Sequence, residues 1–288
     1  MRLDSVLVGA IDTWCNAFTT EAFDKYWRGA PEIAEVVAWW HMESRLVGRT
    51  AGEFVDYMND SGVDVVLVPS VKMRAYNTGR MIWDVPDQEV AELTAAAPDR
   101  IMGLCGINPT EGMDGVRRLE RCIRDAKFVG AHLHTYGFGI PLNDRRYYPY
   151  YAKCVEMDVP IVMQVGHSAE LMPSHLGRPI LLDEIALDMP ELKIVAAHTG
   201  WPWVEELIAL AWKHRNIFIG TSAHHPRYWD QDLLRFANGR GRGKVLFGTD
   251  FPVVEYGEAL QAIEELDLKP DARDLLLGGA ARTLFKIG

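Results

Sequence analysis

The sequence predicts an α/β fold, a distorted (β/α)8 TIM barrel with a helical insertion after its first strand, and three observations support this prediction. Eight short apolar runs recur along the chain of 288 residues. Most of them lack polar alternation, which is typical of strands covered on both faces. Amphipathic helical patterns lie between the runs. Since a single barrel commonly has this length, we predict one domain over residues 1–288.

The eight predicted strands are spread over the whole chain. They are "VLVGAID" (6–12), "VDVVLVPS" (63–70), "IMGLCGINP" (101–109), "FVGAHLHT" (128–135), "VPIVMQVG" (159–166), "LKIVAAHT" (192–199), "NIFIGTS" (216–222) and "KVLFGTD" (244–250). A doubly wound sheet is the alternative, but it carries a glycine-rich turn after its first strand. Neither that GxGxxG turn nor a P-loop occurs here, so we expect no nucleotide cofactor.

The helical segments carry their own end signals. In "TAGEFVDYMNDSG" (50–62), Gly62 stands where a helix C-cap is expected, directly before the second predicted strand. The connection over residues 13–62 is long for a βα unit. Its aromatic stretches "EAFDKYWRG" and "VVAWWHME" therefore predict extra helices that cap the barrel mouth or form a subunit contact.

Composition and charge restrict the class of protein. The formal net charge of −10 disfavours a nucleic-acid partner. The four cysteines show no CxxC spacing, which indicates free thiols in a reducing compartment. No apolar run is long enough to span a bilayer, and the N-terminus does not have the pattern of a signal peptide. We expect a soluble, cytoplasmic protein without a membrane or nucleic-acid partner.

Polar residues follow the ends of most predicted strands. They are Asp12 with Trp14 and Asn16, then His132 and His134, Gln164 and His167, His198, Ser222 and His224, and finally Asp250. In a TIM barrel these ends meet at one mouth, where active sites lie. Neutral imidazoles with a carboxylate suit zinc, manganese or iron(II), and Asp250 could be a ligand or a base. The structural alternative for Asp250 is the N-cap of the next helix.

At these positions the sequence resembles the amidohydrolase superfamily, in particular its amidohydrolase 2 branch. The resemblance rests on "RRYYPYYAKCVEMDVPIVMQVG", "GRPILLDEIALDMPELKIVAAHTGWPWVEEL", "NIFIGTSA" and "KVLFGTDFP". That branch includes aminocarboxymuconate-semialdehyde decarboxylase, γ-resorcylate decarboxylase and several lactone hydrolases. The resemblance implies a distorted TIM barrel, a small-molecule substrate and a homodimer.

The chain departs from the family where the family binds its metal. An HxH or Glu-x-His follows the strand-one aspartate in the family, whereas "IDTWCN" holds Trp14 and Asn16 there. The strand-five histidine of the family falls nearest Gln164, with His167 three residues later. His198 and Asp250 match the family's histidine of strand six and aspartate of strand eight.

The resemblance therefore implies His198 and Asp250 as catalytic residues, with two alternatives. A divalent metal (zinc, manganese or iron) would use a shifted ligand set drawn from His198, Asp250, His167 and His134. Without a metal, His198 and Asp250 would serve as an acid–base pair.

Further side chains are predicted to bind the substrate. They are Trp14, Asn16, His132, Gln164, Arg178 and His224. Arg178 could hold a carboxylate through two hydrogen bonds, with a surface ion pair as the alternative. Flat apolar walls are expected from tryptophans, if they face the mouth: Trp14, Trp83, Trp201 and Trp203.

Three functions follow, in this order. The first is an amidohydrolase-type hydrolase that acts on a small cyclic or aromatic carboxylated substrate at the barrel mouth. The second is a non-oxidative decarboxylase of an aromatic or muconate-like acid. The third is a barrel without catalytic activity that binds a small molecule or a partner, which the missing HxH supports.

Overall fold

Eight parallel strands form one sheet in the structure, a computed structural model that describes residues 9–288. The first residues of the first predicted strand, 6–8, lie outside the described residues. The ten strands are β1 Ala10–Asp12, β2 Val63–Pro69, β3 Lys72–Arg74, β4 Met81–Asp84, β5 Ile101–Gly106, β6 Gly130–Leu133, β7 Ile161–Gln164, β8 Ile194–Ala197, β9 Ile217–Gly220 and β10 Val245–Leu246.

The sheet order confirms the predicted barrel. It runs β1-β2-β5-β6-β7-β8-β9-β10, and each of these strands lies within one of the eight predicted runs. The strands are shorter than the runs because the apolar sequence continues into buried loops. The antiparallel hairpin of β3 and β4 was not predicted.

Helices surround the sheet between successive strands. They are α1 Thr20–Ala22, α2 Pro31–Trp39, α3 Ala51–Ser61, α4 Asp87–Ala96, α5 Gly112–Arg124, α6 Tyr148–Glu156, α7 Leu181–Asp188, α8 Val204–Lys213, α9 Gln231–Asn238, α10 Tyr256–Glu264, α11 Pro270–Asp274 and α12 Ala280–Phe285. Two π-helical segments, Phe23–Arg28 and Leu275–Gly279, continue α1 and α11. None of the helices in the described part of the chain has the length and apolarity needed to cross a membrane.

Helix α3 has the predicted ends. Thr50 and Glu53 form a reciprocal capping box at its start. Gly62 ends the helix at φ 83°, a left-handed conformation that glycine adopts without a Cβ clash. The C-cap predicted from the sequence is confirmed, and it turns the chain directly into β2.

The barrel closes where β1 and β10 run on into their loops. Thr13 N–H donates to the Phe247 carbonyl at 3.1 Å, and Asp250 N–H donates to the Trp14 carbonyl at 2.8 Å. Asn16 N–H adds a bond of 3.0 Å to the Phe251 carbonyl. These backbone bonds fix the loops after β1 and β10 to each other, so the side chains of the two loops keep fixed relative positions.

The buried carboxylate of Asp12 reinforces this closure. It accepts hydrogen bonds from the backbone N–H of Trp14 at 3.0 Å and of Thr249 at 2.9 Å, and from the Thr249 hydroxyl at 2.5 Å. Complete burial raises the pKa of Asp12 to about 6, although these hydrogen bonds act in the opposite direction. Asp12 is thus a structural residue whose bonds join the two ends of the sheet.

A hydrophobic cluster fills the barrel interior and is covered at its lower end by α12. The cluster joins inward-facing side chains of the strands to the C-terminal helix: Ile11, Trp14, Val65, Leu67, Leu104, Val162, Val195, Ala197, Leu246, Ala280, Ala281, Leu284, Phe285 and Ile287. Trp14 lies at the upper end of this core. Its ring therefore separates the apolar interior from the barrel mouth.

Removing the Thr249 hydroxyl tests the closure. Thr249→Val deletes a buried hydrogen bond to a carboxylate, so we expect the free energy of unfolding to fall by about 1–3 kcal/mol above the pKa of Asp12. Urea unfolding of the variant and the wild type measures this change. Thr283→Val, at an exposed helical threonine, is the matched control with an expected change below about 0.5 kcal/mol. Equal effects of the two substitutions would show that the Asp12 bond is dispensable.

Candidate active site

A cavity of about 300 Å³ opens at the C-terminal ends of the strands. This volume lies at the lower end of the range for small-molecule sites, about 300–1,000 Å³. The sequence-predicted residues that line it are Trp14, Asn16, His134, Gln164, His167, His198, His224 and Asp250. The barrel thus brings together side chains that are distant in sequence.

His132 lies outside the cavity, one layer deeper in the barrel. Its ring is fully buried and packs edge-on against Trp14, with 4.2 Å between ring centroids. Burial, with the neighbouring histidines His134 and His198, holds its pKa well below the usual value, so the ring is neutral. Trp14 covers His132, which therefore has no access to a substrate in this structure.

Arg178 also lies outside the cavity. Its exposed guanidinium pairs with Glu206 of α8 at 3.1 Å and lies over the Trp203 ring. This is the surface ion pair that the sequence analysis named as the alternative. Arg178 and Trp203 are therefore not part of the candidate active site.

Asp250 lies at the floor of the cavity and is held by Asn16. The Asn16 side-chain amide donates to Asp250 Oδ1 at 2.8 Å and to the Phe251 carbonyl at 3.0 Å. Loss of hydration raises the pKa of Asp250 well above its usual value; the Asn16 bond lowers it, and the charges of Glu170 and Asp12 raise it further. Its surroundings therefore favour the protonated carboxylic acid more than water does.

His198 presents one nitrogen to the cavity. Its Nδ1 lies 3.0 Å from Ser222 Oγ, whereas its buried Nε2 has no hydrogen-bond partner among the described residues. Burial, together with His224, lowers the pKa of His198 to about 3, so the imidazole is neutral. The Ser222 hydroxyl fixes the orientation of the ring and leaves Nε2 for a ligand.

Four residues without glycine's freedom adopt left-handed backbone conformations at these strand ends. They are His198 (φ 60°), Thr199 (φ 54°), Ala223 (φ 65°) and Asp250 (φ 56°). Such conformations are unfavourable for residues with a Cβ and cluster at functional sites. His198, Ala223 and Asp250 line the cavity, and Thr199 directly follows His198, which supports a functional role for this rim.

Glu170 is a cavity residue that the sequence analysis missed. Its carboxylate lies 3.9 Å from His134 Nε2 and accepts from Ser168 Oγ at 2.8 Å. Burial acts to raise the pKa of Glu170, but His134, its own backbone N–H and Ser168 lower it to about 2. Glu170 is thus ionised. Its position in the loop after β7, six residues beyond Gln164, is the sequence signal that could have identified it.

An outer group of rings borders the polar side of the mouth. His167 packs edge-on against Trp201 at 4.8 Å, and His224 lies 6.0 Å from both rings. Burial, followed by the charge of His167, lowers the pKa of His224 to about 4. Trp201 is half exposed behind these imidazoles and does not line the cavity itself.

A second part of the cavity lining is apolar. Its residues come from the insertion and from the β3–β4 region: Trp27, Ile33, Val36, Trp40, Val71, Met73 and Trp83. Trp83 donates its indole N–H to the Tyr26 carbonyl, so its ring offers only carbon to the cavity. The expectation that the insertion caps the mouth is therefore met by α2 and the π-helical segment.

Curated relatives of this chain include two kinds of lyase. γ-Resorcylate decarboxylase of Polaromonas sp. strain JS666 is 24% identical over 305 residues, covering 86% of this chain and 91% of the relative. 2-Keto-4-carboxy-3-hexenedioate hydratase of Sphingobium sp. strain SYK-6 is 29% identical over 281 residues, covering 79% and 80%. These identities indicate common ancestry and leave the reaction of this chain to its own residues.

Solved structures share the fold. 5-Carboxyvanillate decarboxylase from Sphingomonas paucimobilis superposes with a TM-score of 0.73 at 20% identity, covering 98% of this chain and 100% of that chain. Dihydroxybenzoic acid decarboxylase from Polaromonas sp. JS666, with bound manganese and 2-nitroresorcinol, gives 0.72 at 20% identity and covers 97% of both chains. At this identity the likeness establishes the TIM-barrel architecture.

The family itself is shown by a profile that spans most of the chain. The Amidohydrolase profile of the amidohydrolase 2 branch matches residues 50–287, from the start of α3 to the residue before the C-terminus. The matched segment contains His134, Gln164, His198 and Asp250. The chain belongs to the amidohydrolase 2 branch of the amidohydrolase superfamily of TIM-barrel enzymes.

Proposed function

We propose that this enzyme is a non-oxidative decarboxylase of a flat aromatic acid, the function that the sequence analysis placed second. The observation that carries the proposal is that Asp250, whose surroundings favour its protonated form, and the free Nε2 of His198 face one cavity with aromatic walls. The decarboxylases among the relatives support this reaction over hydrolysis.

Asp250 is the proton donor in this proposal. Asn16 donates to Oδ1, which is the carbonyl oxygen of the neutral acid, so the proton resides on Oδ2. Asp250 transfers this proton to the ring carbon that bears the carboxylate. The bond between that carbon and the carboxylate then breaks, its electron pair returns to the ring, and CO2 leaves. Water restores the proton on Asp250.

The unpaired polar atoms of the cavity orient the substrate. They are Trp14 Nε1, His198 Nε2, both nitrogens of His134 and Gln164 Oε1, all buried. Ser222 donating to Nδ1 of His198 would place the ring proton on Nε2, where it can donate to the substrate carboxylate. Gln164 Oε1 can accept from a ring hydroxyl. Each of these atoms would otherwise remain buried without a partner.

Hydrolysis fits this site less well. A hydrolase needs a base that takes a proton from water. At its usual pKa an aspartic acid is protonated in only about one molecule in a thousand at pH 7. The raised pKa of Asp250 shifts this ratio toward the protonated form and favours an acid at the position where a hydrolase needs a base.

Solved structures with this fold contain bound manganese, which supports the expectation that the fold can hold a divalent metal. The residues present do not fit one at the family position. No three His, Cys, Asp or Glu donors converge in the cavity within the described part of the chain. Where the family has an imidazole ligand, Asn16 presents an amide N–H donor that is bonded to Asp250 Oδ1. We therefore assign no step to a metal.

One converging set of potential ligands lies elsewhere, between α4, β5 and α5. It consists of Asp87, Cys105 and Cys122. Arg118 already donates to both oxygens of Asp87 and to the sulfur of Cys105. Its guanidinium supplies the positive charge at this position, so the cluster is a structural ion pair.

A hydratase is the second candidate, and the 29% identical hydratase relative favours it. Hydration also transfers a proton to carbon, so the same Asp250 could serve. The products separate the two reactions, since hydration adds water and releases no CO2. The expected homodimer and cytoplasmic location stay predictions.

The isotope content of the product tests the reaction. In D2O we expect one deuterium at the ring carbon that lost the carboxylate, and in H2¹⁸O no label in the product. Asp250→Asn removes the transferable proton, so kcat should fall by about 10²–10⁴-fold while an unreactive analogue still binds. Mass spectrometry and steady-state kinetics on a panel of hydroxybenzoic acids measure both effects.

A matched control is Asp232→Asn, at an exposed carboxylate paired with Arg235 on α9. We expect wild-type kcat in this variant. Incorporation of ¹⁸O without release of CO2 would instead identify a hydratase, where water adds to an intact substrate, or a hydrolase, where a bond of the substrate is cleaved.

The pH profile should reflect the protonated form of Asp250. Because burial raises the pKa of Asp250, kcat/KM should persist above the usual titration range of aspartate. It should fall as the pH rises through the raised pKa. His198, with a pKa of about 3, stays neutral across this range and adds no limb near pH 6. Asn16→Leu deletes the bond that lowers the pKa of Asp250, so the alkaline limb should move to higher pH. A limb that moves lower would contradict the assignment of Asp250 as the acid.

Metal analysis tests the departure from the manganese-containing neighbours. We expect substoichiometric metal in protein purified without chelator, and unchanged kcat after EDTA treatment. The double variant Asn16→His/Gln164→His restores imidazoles at the family's ligand positions and should gain manganese binding, measured by calorimetry. Stoichiometric metal in the wild type, lost together with activity in EDTA, would show that a shifted ligand set operates.

A further inference from the structure

The two sides of the cavity differ in charge and polarity, and this difference restricts the substrate. Every unpaired polar atom described above lies on the side formed by the strand ends. The apolar wall, defined as Trp27, Ile33, Val36, Trp40, Val71, Met73 and Trp83, comes from other segments, the insertion and the β3–β4 region. A bound molecule is therefore expected to place its polar end at the strand ends and its apolar part against this wall.

The cavity contains no fixed cation. Among the described residues that line it there is no lysine or arginine, and its two carboxyl groups belong to Glu170 and Asp250. A first carboxylate can use the imidazole N–H groups of the polar side. A second carboxylate would lose its hydration against indole and aliphatic carbon without a counterion, which is strongly unfavourable.

The cationic side chains close to the apolar wall already form hydrogen bonds or ion pairs with other groups. Lys72 on β3 pairs with Asp84 at 2.7 Å and donates to the Val85 carbonyl at 2.8 Å. Arg74 donates to the Gly79 carbonyl at 2.7 Å. Arg80 pairs with Glu32. A rotation of any of these side chains into the cavity would break an existing bond, so the wall stays uncharged when a ligand binds.

We propose that the site selects flat mono-acids that carry an alkyl or aryl group on the edge opposite the carboxylate, and that it rejects acids with a second charge on that edge. This inference rests on the proposed function, because the carboxylate lost in the proposed reaction defines the edge of the substrate that binds at the strand ends. The insertion and the β3–β4 hairpin are then the segments that determine specificity. Each methylene buried against the wall should strengthen binding roughly fourfold.

Calorimetry with acids that lack a ring hydroxyl tests the inference by binding alone. 4-Methyl-, 4-ethyl- and 4-propylbenzoate should bind with stepwise increasing affinity. Terephthalate and 4-nitrobenzoate have nearly the same shape and differ in charge at the far edge. We expect terephthalate to bind at least about 100-fold more weakly than 4-nitrobenzoate.

A charge placed in the wall should reverse this preference. Val36 of α2 is partly exposed and lines the cavity, so Val36→Arg should be tolerated, with circular dichroism as the check on folding. It should improve terephthalate relative to 4-nitrobenzoate by roughly 10–100-fold, the value of a charge-assisted hydrogen bond. Met73→Lys, from β3, provides a second, independent test. Val47→Arg, at a 52% exposed valine outside the cavity, is the control and should leave the ratio unchanged.

The outcomes separate this inference from the proposed function. Equal binding of terephthalate and 4-nitrobenzoate, or an unchanged ratio in both wall variants, would overturn the inference and leave decarboxylation standing. If terephthalate binds more weakly as expected but no hydroxybenzoic acid releases CO2, the inference about the apolar wall stands and the proposed decarboxylation is wrong. If no monocarboxylate binds, both are wrong.

Discussion

The site depends on the joining of β1 to β10 by the buried carboxylate of Asp12. Its bonds to Thr249 and to the Trp14 backbone connect the first strand to the last, and the backbone pairs beyond them continue this connection. Asn16 and Asp250 are 234 residues apart in sequence, yet they meet because this closure fixes both loops. A sheet that opened at this seam would separate Asp250 from the Asn16 amide that is bonded to it.

The exchange of an imidazole for an amide at Asn16 changes the chemistry of the neighbouring carboxyl group. A cation beside Asp250 would favour its ionised form, since an opposite charge stabilises the anion. The amide offers a hydrogen bond without a full charge, and loss of hydration then dominates. The same aspartate is thus a ligand in one setting and a carboxylic acid in the other.

The sequence predicts the cavity well where barrel geometry alone decides the outcome. The carboxyl ends of parallel strands must meet, so His198 and Asp250 could be placed together from the strand pattern. Depth was not predictable: His132 and His134 share one face of β6, but two residues along a strand span about 6.6 Å, which leaves His132 beneath Trp14. Loop direction was not predictable either, because Arg178 turns outward to reach Glu206, a partner on another element.

The catalytic and the apolar sides of the cavity are supported in different ways. The strand ends are fixed by the hydrogen-bond ladder of the barrel and by left-handed turns with little freedom to change. The apolar wall belongs to α2, the π-helical segment and a two-stranded hairpin, which lie outside the eight-stranded sheet and are joined by bonds such as Trp83 to Tyr26 and Arg80 to Glu32. Substitutions in the wall therefore do not touch the hydrogen bonds of Asp12 and Asp250. A barrel organised in this way can change its substrate by altering the insertion and the hairpin, while the acid at the end of the last strand keeps its position.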